Sequence, residues 1–203
     1  MGAVTVRLRP LPPMLTHVVH TALQVCDRTE YHGGGSCRSC GGTLSGYDTR
    51  VKRFALLFDE SDHTVEVIIH RSYCRDCGRI WMPDDPFYPG TRVGSPVVDL
   101  CRTLAMTMTC GQVATRLGQM GVKVDRWSVR SYSCLAFAPP PMVAAFGINV
   151  PVSIISLSTL ATTVGDAGRA CGDDVLAACY YPSRTRSLSS SSVSGTDKNA
   201  GGM

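Results

Sequence analysis

Two cysteine pairs constrain this chain more than any other feature. Cys37 and Cys40 stand in "GSCRSCGG", and Cys74 and Cys77 stand in "HRSYCRDCGRIW", each pair separated by two residues. One C-x-x-C turn supplies two thiolates, and two such turns brought together wrap a metal ion in a closed tetrahedron. Gly41, Gly42 and Gly78 follow the cysteines and suit tight turns whose amides point back at sulfur. The four thiols therefore predict a structural zinc centre, and an iron centre of the rubredoxin type takes the same ligands. A redox pair fits less well, because neither turn sits at a strand-to-helix junction of a βαβ unit.

The segment between the knuckles, from Gly41 to Tyr73, is longer than a compact zinc ribbon needs. It contains two β-rich runs, "VKRFALLF" and "HTVEVIIHRSY", joined by a polar stretch from Asp59 to Asp62. Those runs predict a β-hairpin inserted between the knuckles.

Helical signals flank this ribbon. "LPPMLTHVVHTALQVCDRTEYHGGG" places Leu15, Val19, Ala22 and Cys26 on one helical face, with Gly33 to Gly35 as its end, and His17 and His20 on a solvated side. "MPDDPFYPGTRVG" reads as a connector. "SPVVDLCRTLAMTM" then predicts a helix with Ser95 as cap, Pro96 at its first position and Cys101, Leu104, Ala105 and Met108 inward. "GQVATRLGQ" predicts a second, "MGVKV" a turn, and "DRWSVRSYSCLAF" a third helix capped by Asp125. After the breaker "APPPM", helices are expected in "VPVSIISLSTLATTVGD" and "DDVLAACYYP". Ile154, Ile155, Leu157, Leu160 and Val164 read as core of the same chain, with a homodimer seam as the other use of that stripe.

The expected class is therefore α+β: a zinc ribbon with an inserted β-hairpin, then a helix-turn-helix and further helices, then a disordered Ser/Gly-rich tail. The chain divides into a strand and amphipathic helix at 1–35, the ribbon at 36–82 and a linker at 83–94. The helix-turn-helix spans 95–138, a helical segment 139–182 and the tail 183–203.

In the helix-turn-helix plan, Val113, Ala114 and Leu117 face the core, Val122 packs the turn, and Val129 and Tyr132 anchor the third helix. Trp127, Arg130 and Ser131 then face outward, with Arg126 on the flank and Lys123 in the turn. These five are the candidate contacts to double-stranded DNA: the arginines for a guanine edge or phosphate, Lys123 for phosphate. The formal net charge of +4 permits an anionic partner, and only three of the cationic residues are lysines. Arg38, Arg71, Arg75 and Arg79 around the knuckles offer a second basic surface, offset by Asp76 and the acidic hairpin turn.

"YCRDCGRIW" followed by "GQVATRLGQMGVKVDRWSVRSY" resembles the N-terminal part of insertion-sequence transposases, and uncharacterised transposase-related proteins of prokaryotes. In that family a zinc ribbon precedes a helix-turn-helix that recognises terminal repeats. The resemblance covers about Cys37 to Phe137 and implies that Cys37, Cys40, Cys74 and Cys77 hold zinc and that Asp125 to Tyr132 form the recognition helix. It departs after Pro141, where a short remainder leaves no room for a catalytic domain with two-metal carboxylates. The implied protein is a DNA-binding fragment without transposase catalysis.

Other classes find less support. No Gly-rich phosphate loop, H-E-x-x-H or G-x-S-x-G occurs, so no enzyme is expected. A zinc-ribbon module that docks proteins without binding DNA is the alternative. "MGAVTVRLRP" lacks the apolar core of a secretory signal, and Val6 replaces the Ser or Thr of a myristoylation motif. "VAAFGINVPVSIISLSTLATTV" comes closest to a membrane span, but Asn149 and Pro151 interrupt it. A cytoplasmic location is expected, with cysteines reduced and Cys26, Cys101, Cys110, Cys134, Cys171 and Cys179 as small buried hydrophobes.

Overall fold

The computed structural model describes residues 10–58, 61–165 and 168–179. The expected N-terminal strand, half of the hairpin turn (residues 59 and 60) and the expected disordered tail lie outside these residues. Within them the fold is α+β, with six helices and two sheets.

Helix α1 (Pro13–Gln24) starts on a proline, whose missing N–H costs nothing in a first turn. It buries Leu15, Val19, Ala22 and Leu23. It ends well before the glycines expected to stop it. Arg28 adopts a left-handed φ of 56° and donates its N–H to the Glu66 carbonyl at 2.7 Å. The Asp27 carboxylate accepts from the Glu66 N–H at 2.9 Å. These contacts turn the chain into a strand that sequence reasoning missed, β1 (Glu30–His32).

The main sheet is built on a long antiparallel hairpin, β2 (Leu44–Phe58) and β3 (Asp62–Cys74), as the two β-rich runs predict. β1 pairs parallel to β3, and β4 (Ile80–Trp81) adds antiparallel to Ser72 and Tyr73. The two ends of the hairpin differ in environment. Near its turn, Phe54, Ala55, Leu57, Val65 and Val67 enter the core, whereas Tyr47 to Val51 are exposed.

Three helices follow: α2 (Ser95–Ala105), α3 (Cys110–Gln119) and α4 (Arg126–Ser133). Ser95 is not the expected side-chain cap of α2; it is buried, and its N–H donates to the Pro86 carbonyl at 2.7 Å. α2 stops at Ala105, short of Met108. α3 begins with a reciprocal box in which Thr109 and Gln112 satisfy each other's backbone N–H groups. The turn between α3 and α4 lies along the edge of β2. There Phe58 N–H donates to the Gly121 carbonyl at 2.7 Å, and Lys123 N–H to the Leu56 carbonyl at 2.9 Å.

Between α4 and the next expected helix lies a second small sheet that sequence reasoning missed, β5 (Met142–Ala145) and β6 (Ile148–Pro151). Phe146 and Gly147 both take positive φ, 55° and 77°, the requirement of a tight two-residue hairpin turn. Helix α5 (Val152–Val164) and helix α6 (Gly172–Ala178) complete the described chain. Ile154 and Leu157 are fully buried, and Ile155, Leu160 and Val164 pack partly buried against the same core.

One continuous core runs from Leu15 through Phe54, Leu100, Leu117 and Val129 to Leu157 and Val175. Residues 83–94, read as a linker, contribute to it: Phe87 and Tyr88 are buried, and the Tyr88 hydroxyl donates to the buried Asp99 carboxylate at 2.8 Å. Cys26, Cys101 and Cys179 are buried as expected, but Cys134 and Cys171 are exposed and Cys110 is intermediate. Burial pushes the Cys26 and Cys101 thiols well up, so these sulfurs stay protonated and behave as hydrophobes. Among the described residues no helix is long and apolar enough to cross a membrane.

Candidate metal centre

The open end of the β2–β3 hairpin brings the two knuckles together. Leu44 pairs with Cys74, so the residue four beyond Cys40 is fixed opposite the first cysteine of the second pair. Each knuckle closes with the same hydrogen bonds. Gly41 N–H donates to the Cys37 carbonyl at 2.8 Å, and Gly78 N–H to the Cys74 carbonyl at 3.0 Å. Cys37 N–H donates to Gly42, and Cys74 N–H to Arg79, both at 2.9 Å. Gly41 and Gly78 hold φ of 75° and 71°, left-handed values that a side chain would strain.

The result is a tetrahedral group of sulfurs. Cys37 and Cys77 Sγ lie 3.6 Å apart, Cys40 and Cys74 Sγ 3.5 Å apart, and all four fall within 4.8 Å of one another. Four sulfurs held about 2.3 Å from one ion stand about 3.8 Å apart along the edges of the tetrahedron. The group therefore fits a single metal ion with no open position. Cys37 and Cys74 are buried, and Cys40 and Cys77 face solvent.

The surroundings favour charge on one of these sulfurs and oppose it on others. Burial pushes the Cys37 thiol up, but the Ser39 and Cys40 N–H groups and the thiols of Cys77 and Cys40 outweigh it and lower it to about 6. Trp81, which sequence reasoning missed, points its indole N–H at Cys37 Sγ from 3.1 Å. The Gly42 N–H draws Cys40 down, while the Cys74 and Cys77 sulfurs prevail and push it up to about 12. Four close thiols share too little positive charge for all to ionise without a cation. A metal ion held by the four sulfurs would supply that charge.

Gly42 also has a packing reason. A Cβ there would fall 1.9 Å from the Asp76 carboxylate, which accepts from the Thr43 N–H at 3.1 Å and ties the two knuckles.

Most arginines around the centre are engaged within the chain. Arg71 forks onto Asp48, Arg38 pairs with Asp84 at 3.6 Å, and Arg79 donates to the Ser39 hydroxyl.

The candidate DNA contacts stand at the other end of the hairpin, on α4 and its preceding turn. Asp125 caps α4 by accepting from the Trp127 and Ser128 N–H groups at 2.8 and 2.9 Å. Val129 and Tyr132 are buried, and Arg126, Trp127, Arg130 and Ser131 are exposed on adjoining turns. The Arg126 guanidinium lies over the Trp127 ring, 4.9 Å from its centroid. Lys123, the candidate phosphate contact in the preceding turn, pairs its ammonium with Asp62 at 2.8 Å.

No family model, no curated protein and no solved structure matches the chain.

Proposed function

We propose that the four cysteines hold a structural zinc ion and that the chain is a non-enzymatic protein that binds double-stranded DNA through α4. The observation that carries this reading is the sidedness of α4. It anchors Val129 and Tyr132 in the core and presents Arg126, Trp127, Arg130 and Ser131 to solvent on one surface. α2 and α3 pack against α4, and in this reading α4 acts as the recognition helix of a helix-turn-helix. The resemblance to the zinc-ribbon and helix-turn-helix part of transposases supports the same assignment. Lys123 exchanges Asp62 for a phosphate when DNA arrives, so its contribution is smaller than that of the two arginines.

The test is a duplex titration of the zinc-loaded chain at rising salt. Phosphate contacts release counterions, so affinity falls steeply with salt. Replacing both Arg126 and Arg130 with Ala flattens the salt slope by about 1 for each phosphate that the side chains no longer neutralise. Binding that ignores salt, or that survives both substitutions unchanged, contradicts the reading.

A protein-docking role draws on one different observation. Trp127 is 64% exposed, and tryptophan is among the residues enriched at the energetic centre of protein interfaces. In that case the chain binds no duplex even at low salt, and Trp127→Ala removes association with the partner.

A further inference from the structure

The outer face of the main sheet carries a second group of metal-ligating atoms, unrelated to the cysteines. Glu30 and His32 are two apart on β1, so both project from one face while Tyr31, between them, is buried on the other. The parallel register sets His32 opposite His70 of β3, and the two imidazoles stack with centroids 4.2 Å apart and planes within 10°. Both Nε2 atoms converge on one carboxylate oxygen, Glu30 Oε2, from 3.3 Å for His32 and 3.1 Å for His70. On the next strand Thr49, the ladder partner of His70, places its hydroxyl 3.2 Å from His70 Nδ1.

We propose that Glu30, His32 and His70 form a second zinc site, with an open coordination position, built by the pairing of β1 with β3. Zinc binds imidazole nitrogen and carboxylate oxygen at about 2.0–2.2 Å, which separates neighbouring ligand atoms by roughly 3.3–3.5 Å. The three donor atoms lie within 4.8 Å of one another, with Glu30 Oε2 3.3 and 3.1 Å from the two Nε2 atoms, and the stacked rings must turn out of parallel for both lone pairs to meet one ion. Thr49 supplies the orienting contact that metal-bound histidines usually have. His70 can carry its proton on either nitrogen, and in the tautomer whose Nδ1–H donates to the Thr49 hydroxyl the Nε2 lone pair is available to a cation beside Glu30.

Three protein ligands leave a fourth tetrahedral position, the arrangement of sites that bind water or an incoming group. Glu30 and His32 line an open cleft of about 250 Å³, shared with Ser36, Trp81, Asp84 and Asp173. The cleft gives an incoming group access to the Glu30 and His32 side of the site. The site is a separate body from the cysteine centre, which has no such opening.

The experiment uses the untagged full chain carrying one zinc at the cysteines, equilibrated against micromolar zinc and measured for metal per chain. Two equivalents are expected in the wild type and one in His32→Ala and His70→Ala, with the cysteine-bound zinc retained. Thr49→Val weakens the second equivalent about 10-fold or more. Cys171→Ser, a change in the same cleft, leaves it intact. Cobalt in place of the second zinc gives ligand-field bands without thiolate charge transfer. In the wild type itself, the second equivalent shifts the ring resonances of His32 and His70, a readout independent of how any variant folds. A wild type that stops at one zinc overturns the proposal and leaves a hydrogen-bonded cluster only. So does a second equivalent that survives both histidine changes or leaves those resonances unmoved.

Discussion

The Phe58 amide donates to the carbonyl of Gly121 at 2.7 Å, joining the core end of the long hairpin to the turn between α3 and α4. Gly121 has a φ of 73°, and a Cβ there would stand 2.0 Å from His20 Nε2 and 2.8 Å from the Phe58 carbonyl oxygen. One end of the hairpin thus carries the cysteine centre, and the other sets the position of α4.

Gly121→Ala should cost about 2 kcal/mol or more, from left-handed strain and collision with backbone. Gly118→Ala offers a control of opposite sign. Gly118 lies in α3 with nothing within 4 Å of its missing Cβ, so alanine should stabilise by about 0.5–1 kcal/mol. Urea denaturation of the metal-loaded protein measures both. Equal midpoints for the two variants would show that the turn does not depend on the β2 edge.

Metal removal should loosen one end of the molecule and spare the rest. Leu44 to Arg53 are exposed or partly exposed, whereas Phe54, Ala55 and Leu57 belong to the core shared with the helices. Chelation should therefore raise amide exchange around residues 37–46 and 72–81 while α2, α3 and α5 keep their protection. Simultaneous loss of protection in α5 would mean that the metal holds the whole fold.

Acid should release the metal before it unfolds the helices. Zinc binds thiolates, so protons compete with it, and its affinity falls as pH falls. With Cys37 lowered to about 6, and Cys40 pushed up to about 12 and Cys77 also raised in the metal-free centre, proton release on metal binding should come from Cys40 and Cys77 more than from Cys37. Calorimetry of zinc binding in buffers of different ionisation enthalpy counts those protons. Release of none at neutral pH would contradict thiolate ligation.

The Asp125 cap gives a separate dependence on acid. The Ser128 hydroxyl and N–H, with the Trp127 N–H, hold its carboxyl below the usual carboxylate range. The folded value is depressed, so the stabilisation is present above the unfolded carboxylate range and fades as pH drops through the folded value. Asp125→Ala should cost about 1 kcal/mol near neutrality and less in acid. A cost that stays constant down to strong acid would show that charge is not involved.

The residues that were legible carry local chemistry. The knuckles announce themselves by spacing, α1 and α3 by their apolar faces, and α4 by Asp125 before a run with Val129 and Tyr132 inward. The Thr109 to Gln112 box was readable in principle as T-x-x-Q. β1 was not, because three residues carry no period and their partner strand lies far along the chain. The β5–β6 hairpin hides because Phe146 adopts a positive φ that its residue type does not suggest. Residues 83–94 read as a connector from their prolines and glycines, yet Phe87 and Tyr88 pack inward through contacts that only the assembled core supplies.

The most direct test of α4 as the DNA-binding element is residue-resolved: amide and side-chain resonances of the zinc-loaded chain recorded as a random-sequence duplex is added at low salt. The largest shifts are expected from Lys123 to Ser131, including the Trp127 indole, with little change at Cys37, Cys40, Cys74 and Cys77. Shifts centred on the knuckles, or none at any duplex concentration, would contradict that role for α4.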